Sequence, residues 1–306
     1  MVFPPLIAGL KIGHASHASA RTGCTVFLCP EGARAGVAVR GAAPGTRETD
    51  LLRAGHRVDR VHAILLTGGS AFGLAAVDGV VHWLFERGYG WPTAVRPVPI
   101  VPAAVLFDLV DDNPAWPTAT LGYEACEAAT DAWPAEGQVG AGRGATVGKI
   151  LGRGRSSPGG IGGASMQLPD GATVGALVAV NAFGHVVDPD DGRIIAGPRL
   201  ADGTFGDTVH ILLKGIHRTD AGMHTTIGVI WTDALLDKAG CGRVAAVAHN
   251  GLARTIRPVH TQYDGDTLFA LSLPRADAEP GDITLLGVAA TEVVAQAVVR
   301  AVTTER

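Results

Sequence analysis

Residues 222–230 have the sequence Gly222-Met223-His224-Thr225-Thr226-Ile227-Gly228-Val229-Ile230. A weakly patterned stretch ends here in an apolar segment that begins with two threonines, and the alternation of side chains over 225–232 predicts a β-strand. Two interpretations of Thr225 remain open at this point. Threonine is an ordinary strand residue, and it is also a nucleophile when a base lies beside it.

A second segment, residues 258–267, has the sequence Pro258-Val259-His260-Thr261-Gln262-Tyr263-Asp264-Gly265-Asp266-Thr267. Its Asp-Gly-Asp tripeptide comes directly before another predicted strand, 266–272. The tripeptide is either a solvated turn or a device that brings two carboxylates to one site. We expect His260 to hydrogen-bond within this segment in a structural role.

The rest of the pattern mixes strands and helices throughout, which predicts one α/β domain over residues 1–306. Residues 189–222 are predicted to be a mobile loop region. The predicted strands are 22–29 and 35–40 around a turn at 30–32, then 63–67, and 173–180 with 185–187 as its return after a turn at 181–184. The predicted helices are 74–87, 120–132, 235–251 with a possible extension to 256, and 281–303.

The sequence Gly68-Gly69-Ser70-Ala71-Phe72-Gly73 follows a predicted strand and precedes a helix. Its spacing differs from G-x-G-x-x-G, and no Lys-Ser/Thr follows, so a structural turn is favoured over a phosphate-binding loop. The turn remains a candidate wall of an active site. Ser70 and Ser165 both lie outside a G-x-S-x-G sequence, so neither has the hydrolase elbow signature.

The composition excludes several classes of protein. With 47% hydrophobic and 18% charged residues, the chain has enough apolar material for a large core. A net charge of −4 without basic runs argues against nucleic acid as a partner. The apolar run 95–110 contains three prolines, so no membrane span is predicted there. No signal peptide is expected, and the protein is expected to be cytoplasmic.

The cysteines and histidines do not suggest a metal centre. The four cysteines are expected to be buried, reduced thiols. The histidines form neither H-x-x-x-H nor H-E-x-x-H, so neither a metal nor a cofactor is predicted.

Taken together, these segments resemble the L-aminopeptidase/D-esterase family, which includes β-peptidyl aminopeptidases and nylon-oligomer hydrolases. The resemblance extends over nearly the whole chain, and ordered matches of this number are more specific than any single motif. The matching stretches are 41–51, 66–74, 99–102, 147–149, 180–181, 225–229 and 260–269.

The resemblance implies an αββα sandwich similar to the N-terminal-nucleophile hydrolases, with different connectivity. It implies that the chain cuts itself before Thr225, giving chains 1–224 and 225–306. The freed Thr225 would supply both the nucleophilic hydroxyl and a base, because an α-amino group has a pKa of roughly 7.7–8.0. The resemblance also implies a homo-oligomer, a tetramer or larger.

The resemblance assigns further roles residue by residue. Asn181 would donate its amide to the developing oxyanion, and Lys149 would lie near the nucleophile and stabilise negative charge or orient the hydroxyl. Asp264 and Asp266 would hydrogen-bond the new ammonium group and the nucleophile. Without the resemblance, Lys149 would be interpreted as a surface lysine and Asn181 as the left-handed residue of a turn.

This sequence departs from its relatives at two informative positions. His224 stands where relatives usually have Asn or Gly, and His adopts unusual backbone angles less readily, so self-cleavage is expected to be slow or incomplete. Phe107 stands at a substrate-pocket position where several relatives have Tyr, which removes one possible hydrogen bond. The region 195–222 is also shorter than in many relatives.

Four functions remain open. The leading hypothesis is a hydrolase of small peptides, amides or esters, and a close variant is a hydrolase of ω-amino acid oligomers such as nylon fragments. The third is an acyltransferase of the ornithine acetyltransferase type. The fourth is an uncut binding protein that has lost processing, with His224 as the cause.

Overall fold

A long strand passes from one β-sheet into another in the computed structural model, which describes residues 6–110, 115–216 and 224–304. Within these residues the strands are β1 (Lys11–Ser16), β2 (Gly23–Val39), β3 (Thr46–Arg47), β4 (Val61–Thr67), β5 (Ala103–Val105), β6 (Thr146–Val147), β7 (Ser157–Pro158), β8 (Gly160–Gln167), β9 (Thr173–Asn181), β10 (His185–Val187), β11 (Ile194–Ala196), β12 (Thr225–Thr232), β13 (Ile256–Arg257) and β14 (Thr267–Ser272). The α-helices are α1 (Ala76–Glu86), α2 (Ala119–Glu127), α3 (Thr208–Leu213), α4 (Lys238–Thr255) and α5 (Ile283–Thr303).

Strand β2 connects the two sheets. Its first half pairs with β1 and β4, and its second half pairs with β14. The first sheet continues from β4 through β5 to β3, and the second continues from β14 through β12 and β9 to β8. The predicted pair of strands around a turn at 30–32 was therefore wrong. Pro30 and Gly32 lie in a register shift between Leu28 and Ala33, and an irregularity of this kind bends a strand without ending it.

Successive side chains of a strand point to opposite faces of its sheet. In this fold the apolar side chains on these faces fill three layers. In β4, Leu66 points between the sheets and Leu65 points to α1 and α2. In β12, Val229 points between the sheets and Ile230 points to α4 and α5. The layers therefore follow the order helices, sheet, sheet, helices, which is the predicted αββα sandwich.

Two other predictions need correction. Residues 185–187 form β10, but β10 does not return beside β9, because β8 and β12 already occupy both edges of β9. Instead β10 pairs with β11 and β13. The helix predicted over 120–132 ends at Glu127, because the main chain of Thr130 pairs with Ile12 of β1.

The region 189–222 contains more structure than a loop, since β11 and α3 lie in it. The part of that prediction that covers 217–222 lies outside the described residues. Asp237 and Asp282 cap α4 and α5 by accepting main-chain N–H groups at their first turns. The four cysteines are free and buried, as predicted.

Helix α5 is long and apolar enough to cross a membrane by length and composition. In this fold 61% of its apolar window is buried inside the protein. It packs against α4 and against β8 and β9. The composition of α5 is therefore accounted for by its position in the outer apolar layer of the second sheet.

Candidate active site

Thr225 opens β12 and lies directly opposite Asn181, the last residue of β9, in an antiparallel pair. Directly opposed residues place their side chains on the same face of a sheet. That face is the one from which Ile227 and Leu177 enter the layer between the sheets. Thr225 is 5% exposed and Asn181 is 1% exposed, so both side chains lie in a nearly closed site at the end of the inter-sheet layer.

The carbonyl group of His224 receives two hydrogen bonds. The hydroxyl of Thr225 donates to it in a very short contact, and the main-chain N–H of Gly265 donates to it at 3.0 Å. A Cβ at position 265 would lie 2.9 Å from the Thr225 hydroxyl oxygen and 2.6 Å from the carbonyl oxygen of Ala43. Because glycine has no Cβ, position 265 leaves room for the side chain of Thr225.

Lys149 is a buried lysine, not a surface one. It follows Gly148, which has the left-handed φ of +72° that favours glycine. Its Nζ donates to the main-chain oxygen of Asn181 at 2.8 Å and to the side-chain Oδ1 at 2.7 Å. Burial, followed by the charge of Arg153, holds the pKa of Lys149 well below its usual range.

Asn181 is the terminal strand residue of β9, not a left-handed turn residue. Its Oδ1 also accepts the main-chain N–H of Thr146 at 3.0 Å, which fixes the orientation of the amide. Its Nδ2 donates to the carbonyl of Phe107 at 2.9 Å. The side chain of Asn181 is therefore held from both ends of its amide.

The two carboxylates of the Asp-Gly-Asp sequence are both buried, so the solvated turn is excluded. Asp264 accepts from the main-chain N–H of Thr261 at 2.8 Å and from its hydroxyl at 2.6 Å. Burial, followed by the neighbouring Asp266, raises the pKa of Asp264 to about 6. Asp266 accepts the main-chain N–H of Thr226 at 2.7 Å through Oδ1. Asp266 therefore holds the first peptide group of β12, and the main chain of Asp264 pairs with His224 just before this strand.

His224 packs in an aromatic cluster with Phe183 and Tyr263, at ring centroid distances of 5.1 Å and 6.5 Å. Burial, followed by the charge of Lys149, lowers the pKa of His224 to about 3. The imidazole is thus neutral near pH 7.

Comparison with known proteins identifies the family. Residues 7–306 match the model of peptidase family S58. The chain belongs to peptidase family S58. It is similar to an uncharacterised aminopeptidase of Mycobacterium leprae (strain TN), with 43% identity over 97% of this chain and 88% of that protein.

Two further similarities place the chain within the family. The 6-aminohexanoate-oligomer endohydrolase of Paenarthrobacter ureafaciens is 34% identical over 96% of this chain and 84% of that protein. The L-aminopeptidase D-Ala-esterase/amidase of Ochrobactrum anthropi, described as a new variant among the Ntn-hydrolase folds, superposes with a TM-score of 0.72 and 20% identity over 98% of this chain and 87% of that chain. The α/β fold is therefore that Ntn-hydrolase variant, and the S58 chain is a hydrolase of the aminopeptidase type.

The remaining predicted site position, Phe107, lies next to Asn181 in the S58 chain. Its carbonyl holds Asn181, while its side chain remains partly exposed. The neighbouring Asp108 accepts the main-chain N–H of Gly69 at 2.7 Å. The glycine turn that follows β4 therefore supports the segment that holds Asn181.

Sequence reasoning missed one contributor to the site, the main-chain N–H of Gly265, for which a sequence carries no direct signal. His260 hydrogen-bonds to Asp266 within its own segment, as predicted. Within the described ranges, no group of three or more His, Cys, Asp or Glu side chains is arranged to hold a metal ion.

Proposed function

We propose that this S58 chain is a self-processing N-terminal-threonine hydrolase that cleaves amide or ester bonds of small aminoacyl or peptide substrates through an acyl-enzyme. One observation carries the proposal. The Thr225 hydroxyl contacts the carbonyl of the peptide bond before it, and the N–H of Gly265 donates to the same carbonyl. A nucleophile and an oxyanion donor thus converge on one peptide bond.

Self-cleavage would begin with attack of the Thr225 oxygen on the carbonyl carbon of His224. The negative charge that develops on the carbonyl oxygen is stabilised by the N–H of Gly265. The C–N bond then breaks and the nitrogen of Thr225 takes up a proton, which leaves His224 as an ester on the threonine oxygen. Water hydrolyses this ester to the His224 carboxylate and a free Thr225, giving chains 1–224 and 225–306.

Turnover would use the same oxygen on an external substrate. The free α-amino group of Thr225 has a pKa near neutrality, so it accepts the hydroxyl proton as the oxygen attacks the substrate carbonyl. The substrate amine or alcohol leaves with a proton, and water then releases the acyl group. Asn181 lies opposite Thr225, and its side-chain amide is the proposed donor to the substrate oxyanion.

The buried charged side chains near Thr225 support both self-cleavage and turnover. Lys149 is fixed on Asn181 through two hydrogen bonds, so it orients that amide and stabilises negative charge beside it. Asp264 and Asp266 flank Gly265 and lie next to the start of β12. After cleavage they are placed to accept hydrogen bonds from the new ammonium group and from the nucleophile.

A specific observation also favours a second substrate class. The Paenarthrobacter relative named above is called a 6-aminohexanoate-oligomer endohydrolase. An ω-amino acid oligomer presents the same amide carbonyl to the nucleophile as a peptide does. Such oligomers are therefore the second candidate substrates of the same site.

The test compares two neighbouring threonines whose side chains alternate across the strand. Thr225→Val and Thr226→Val each replace a hydroxyl by a methyl group of similar size. Mass spectrometry of purified wild type and of Thr226→Val should show fragments that begin at Thr225, while Thr225→Val should remain one chain. The mature proteins are then assayed with aminoacyl p-nitroanilides, aminoacyl amides and 6-aminohexanoate oligomers.

The outcomes separate the candidate functions. Hydrolysis by wild type but not by Thr225→Val supports the proposal, and the preferred substrate distinguishes peptides from ω-amino acid oligomers. Acyl transfer to an added amine in preference to water would indicate an acyltransferase. An uncut wild type whose properties equal those of Thr225→Val would indicate a binding protein and refute the proposal.

A further inference from the structure

His260, which lies outside the proposed catalytic set, contacts Asp266 through the oxygen that Thr226 does not use. The Nδ1 of His260 lies 2.7 Å from Oδ2 of Asp266, and the main-chain N–H of His260 donates to the same oxygen at 3.1 Å. A carboxylate only accepts hydrogen bonds, so Nδ1 carries the hydrogen. Asp266 is thereby held at both of its oxygens.

The backbone of His260 contributes to this geometry. Its φ of +56° lies in the left-handed region, which residues other than glycine and asparagine seldom adopt. In this conformation the N–H and the imidazole converge on one carboxylate oxygen. A sparsely populated conformation persists only where its surroundings enforce it, and here it brings two donors to a single acceptor.

The imidazole of His260 is also held from the α4 side. The ring of His249 lies edge-on at a centroid distance of 4.8 Å, and Nε2 of His249 donates to the carbonyl of Ala38 at 3.0 Å. Burial lowers the pKa of His249 to about 4, so its ring is neutral near pH 7. The ring of His260 is therefore packed between a fixed neutral ring and Asp266.

We propose that His260 is a positioning residue: it holds Asp266 so that Asp266 fixes the first peptide group of β12, and with it the nucleophile Thr225. This inference rests on the proposed function, because it concerns the same nucleophile. His260 acts through Asp266, which receives the N–H of Thr226 on its other oxygen.

A positioning histidine has a signature that a purely structural one lacks. Loss of its side chain lowers kcat without a matching change in KM, and a different side chain that restores the hydrogen-bond donor recovers kcat.

Two substitutions test the hydrogen-bond donor of the side chain. Asparagine and glycine both accept a left-handed backbone. His260→Asn keeps an N–H donor near the position of Nδ1, and His260→Gly removes the side chain. The exposed His82→Asn on α1 is the matched control. Each mature protein is assayed for kcat and KM on an aminoacyl p-nitroanilide from pH 5 to 9, and for its melting temperature.

We expect His260→Gly to lower kcat at least tenfold with KM within about twofold of wild type, since nucleophile placement and not substrate binding is affected. We expect His260→Asn to recover kcat to within about threefold. The control His82→Asn should match wild type throughout.

Two results would overturn the inference. One is a His260→Gly variant with a lowered melting temperature but the kcat of wild type. The other is a His260→Asn variant that keeps the melting temperature of wild type but loses kcat tenfold or more, and this result decides the question even if His260→Gly does not fold. Thr225→Val is measured in parallel: if it is cut and active, the proposed function fails irrespective of His260.

Discussion

The main-chain N–H of Gly265 donates to the carbonyl oxygen of His224 at 3.0 Å. It therefore contacts the peptide bond that self-cleavage would break, whereas Asn181 lies across the strand from the residue that would attack. The two donors suggest a division of labour, in which Gly265 stabilises the oxyanion of self-cleavage and Asn181 that of turnover. The turn between Asp264 and Asp266 would thus serve the uncut chain as well as the mature enzyme.

Gly265→Ala should slow self-cleavage. The new Cβ would crowd the Thr225 oxygen and the Ala43 carbonyl, which displaces the donor from His224. Loss of one oxyanion donor costs on the order of 10²–10³ in rate. The measurement is a time course of fragment formation by gel after cell-free synthesis. The control is Gly242→Ala on α4, where a Cβ would contact nothing within 4 Å. This variant should cleave at the rate of wild type. Equal cleavage rates for Gly265→Ala and Gly242→Ala would contradict the role of Gly265.

Asp264→Asn should stabilise the uncut protein at neutral pH. The pKa of Asp264 is raised to about 6 by burial and by Asp266, so the folded state favours the protonated acid. The stabilisation that Asp264 contributes to the parent is therefore fully present below about pH 4 and is lost as the pH rises through about 6. Asparagine avoids that loss, which amounts to on the order of 3 kcal/mol.

The comparison is made in the Thr225→Val background, so that every chain is uncut, by urea denaturation between pH 4 and 8. The difference in unfolding free energy between Asp264→Asn and its parent should grow over this range and level off above about pH 6.5. The exposed Asp190→Asn is the control and should give a constant difference. A constant difference for Asp264→Asn as well would show that its carboxyl group is not perturbed.

Phe107→Tyr should change substrate preference and leave self-cleavage unaltered. The contact of Phe107 with Asn181 uses its main-chain carbonyl, which the substitution retains, while the partly exposed ring gains a hydroxyl that can hydrogen-bond a substrate. We expect the ratio of kcat/KM between two aminoacyl p-nitroanilides to change several-fold. The exposed Phe85→Tyr on α1 is the matched control. A slowed self-cleavage in Phe107→Tyr would refute the main-chain assignment.

The local sequence pattern was sufficient for the core strands, because their alternation is a direct consequence of burial on two faces. The strands β4, β9 and β12 all lie within one or two residues of their predicted bounds. The continuity of β2 was not predictable in the same way. Pro30 and Gly32 have the composition of a turn, and only the pairing partners on either side show that the strand goes on.

The site depended on information that the local pattern lacks. Thr225 and Lys149 have ordinary local interpretations, and the resemblance to a family alone singled them out. The opposition of Thr225 and Asn181 is a matter of strand register across 44 residues of sequence, which no local pattern encodes. The donor on Gly265 is a main-chain group, and every residue except proline has one, so only the folded structure distinguishes it.

His224→Asn should accelerate self-cleavage. His224 is packed against Phe183 and Tyr263, and these contacts restrain the carbonyl that must become tetrahedral. Asparagine is smaller and accepts unusual backbone angles more readily. We expect a rate several-fold above wild type, measured by the same fragment time course.

Because the pKa of His224 is lowered to about 3, its imidazole is neutral from pH 5 upward, so wild type and His224→Asn should show pH profiles of the same shape. A change of shape would mean that His224 takes part as an acid or a base, and an equal rate would mean that this histidine does not limit the cut.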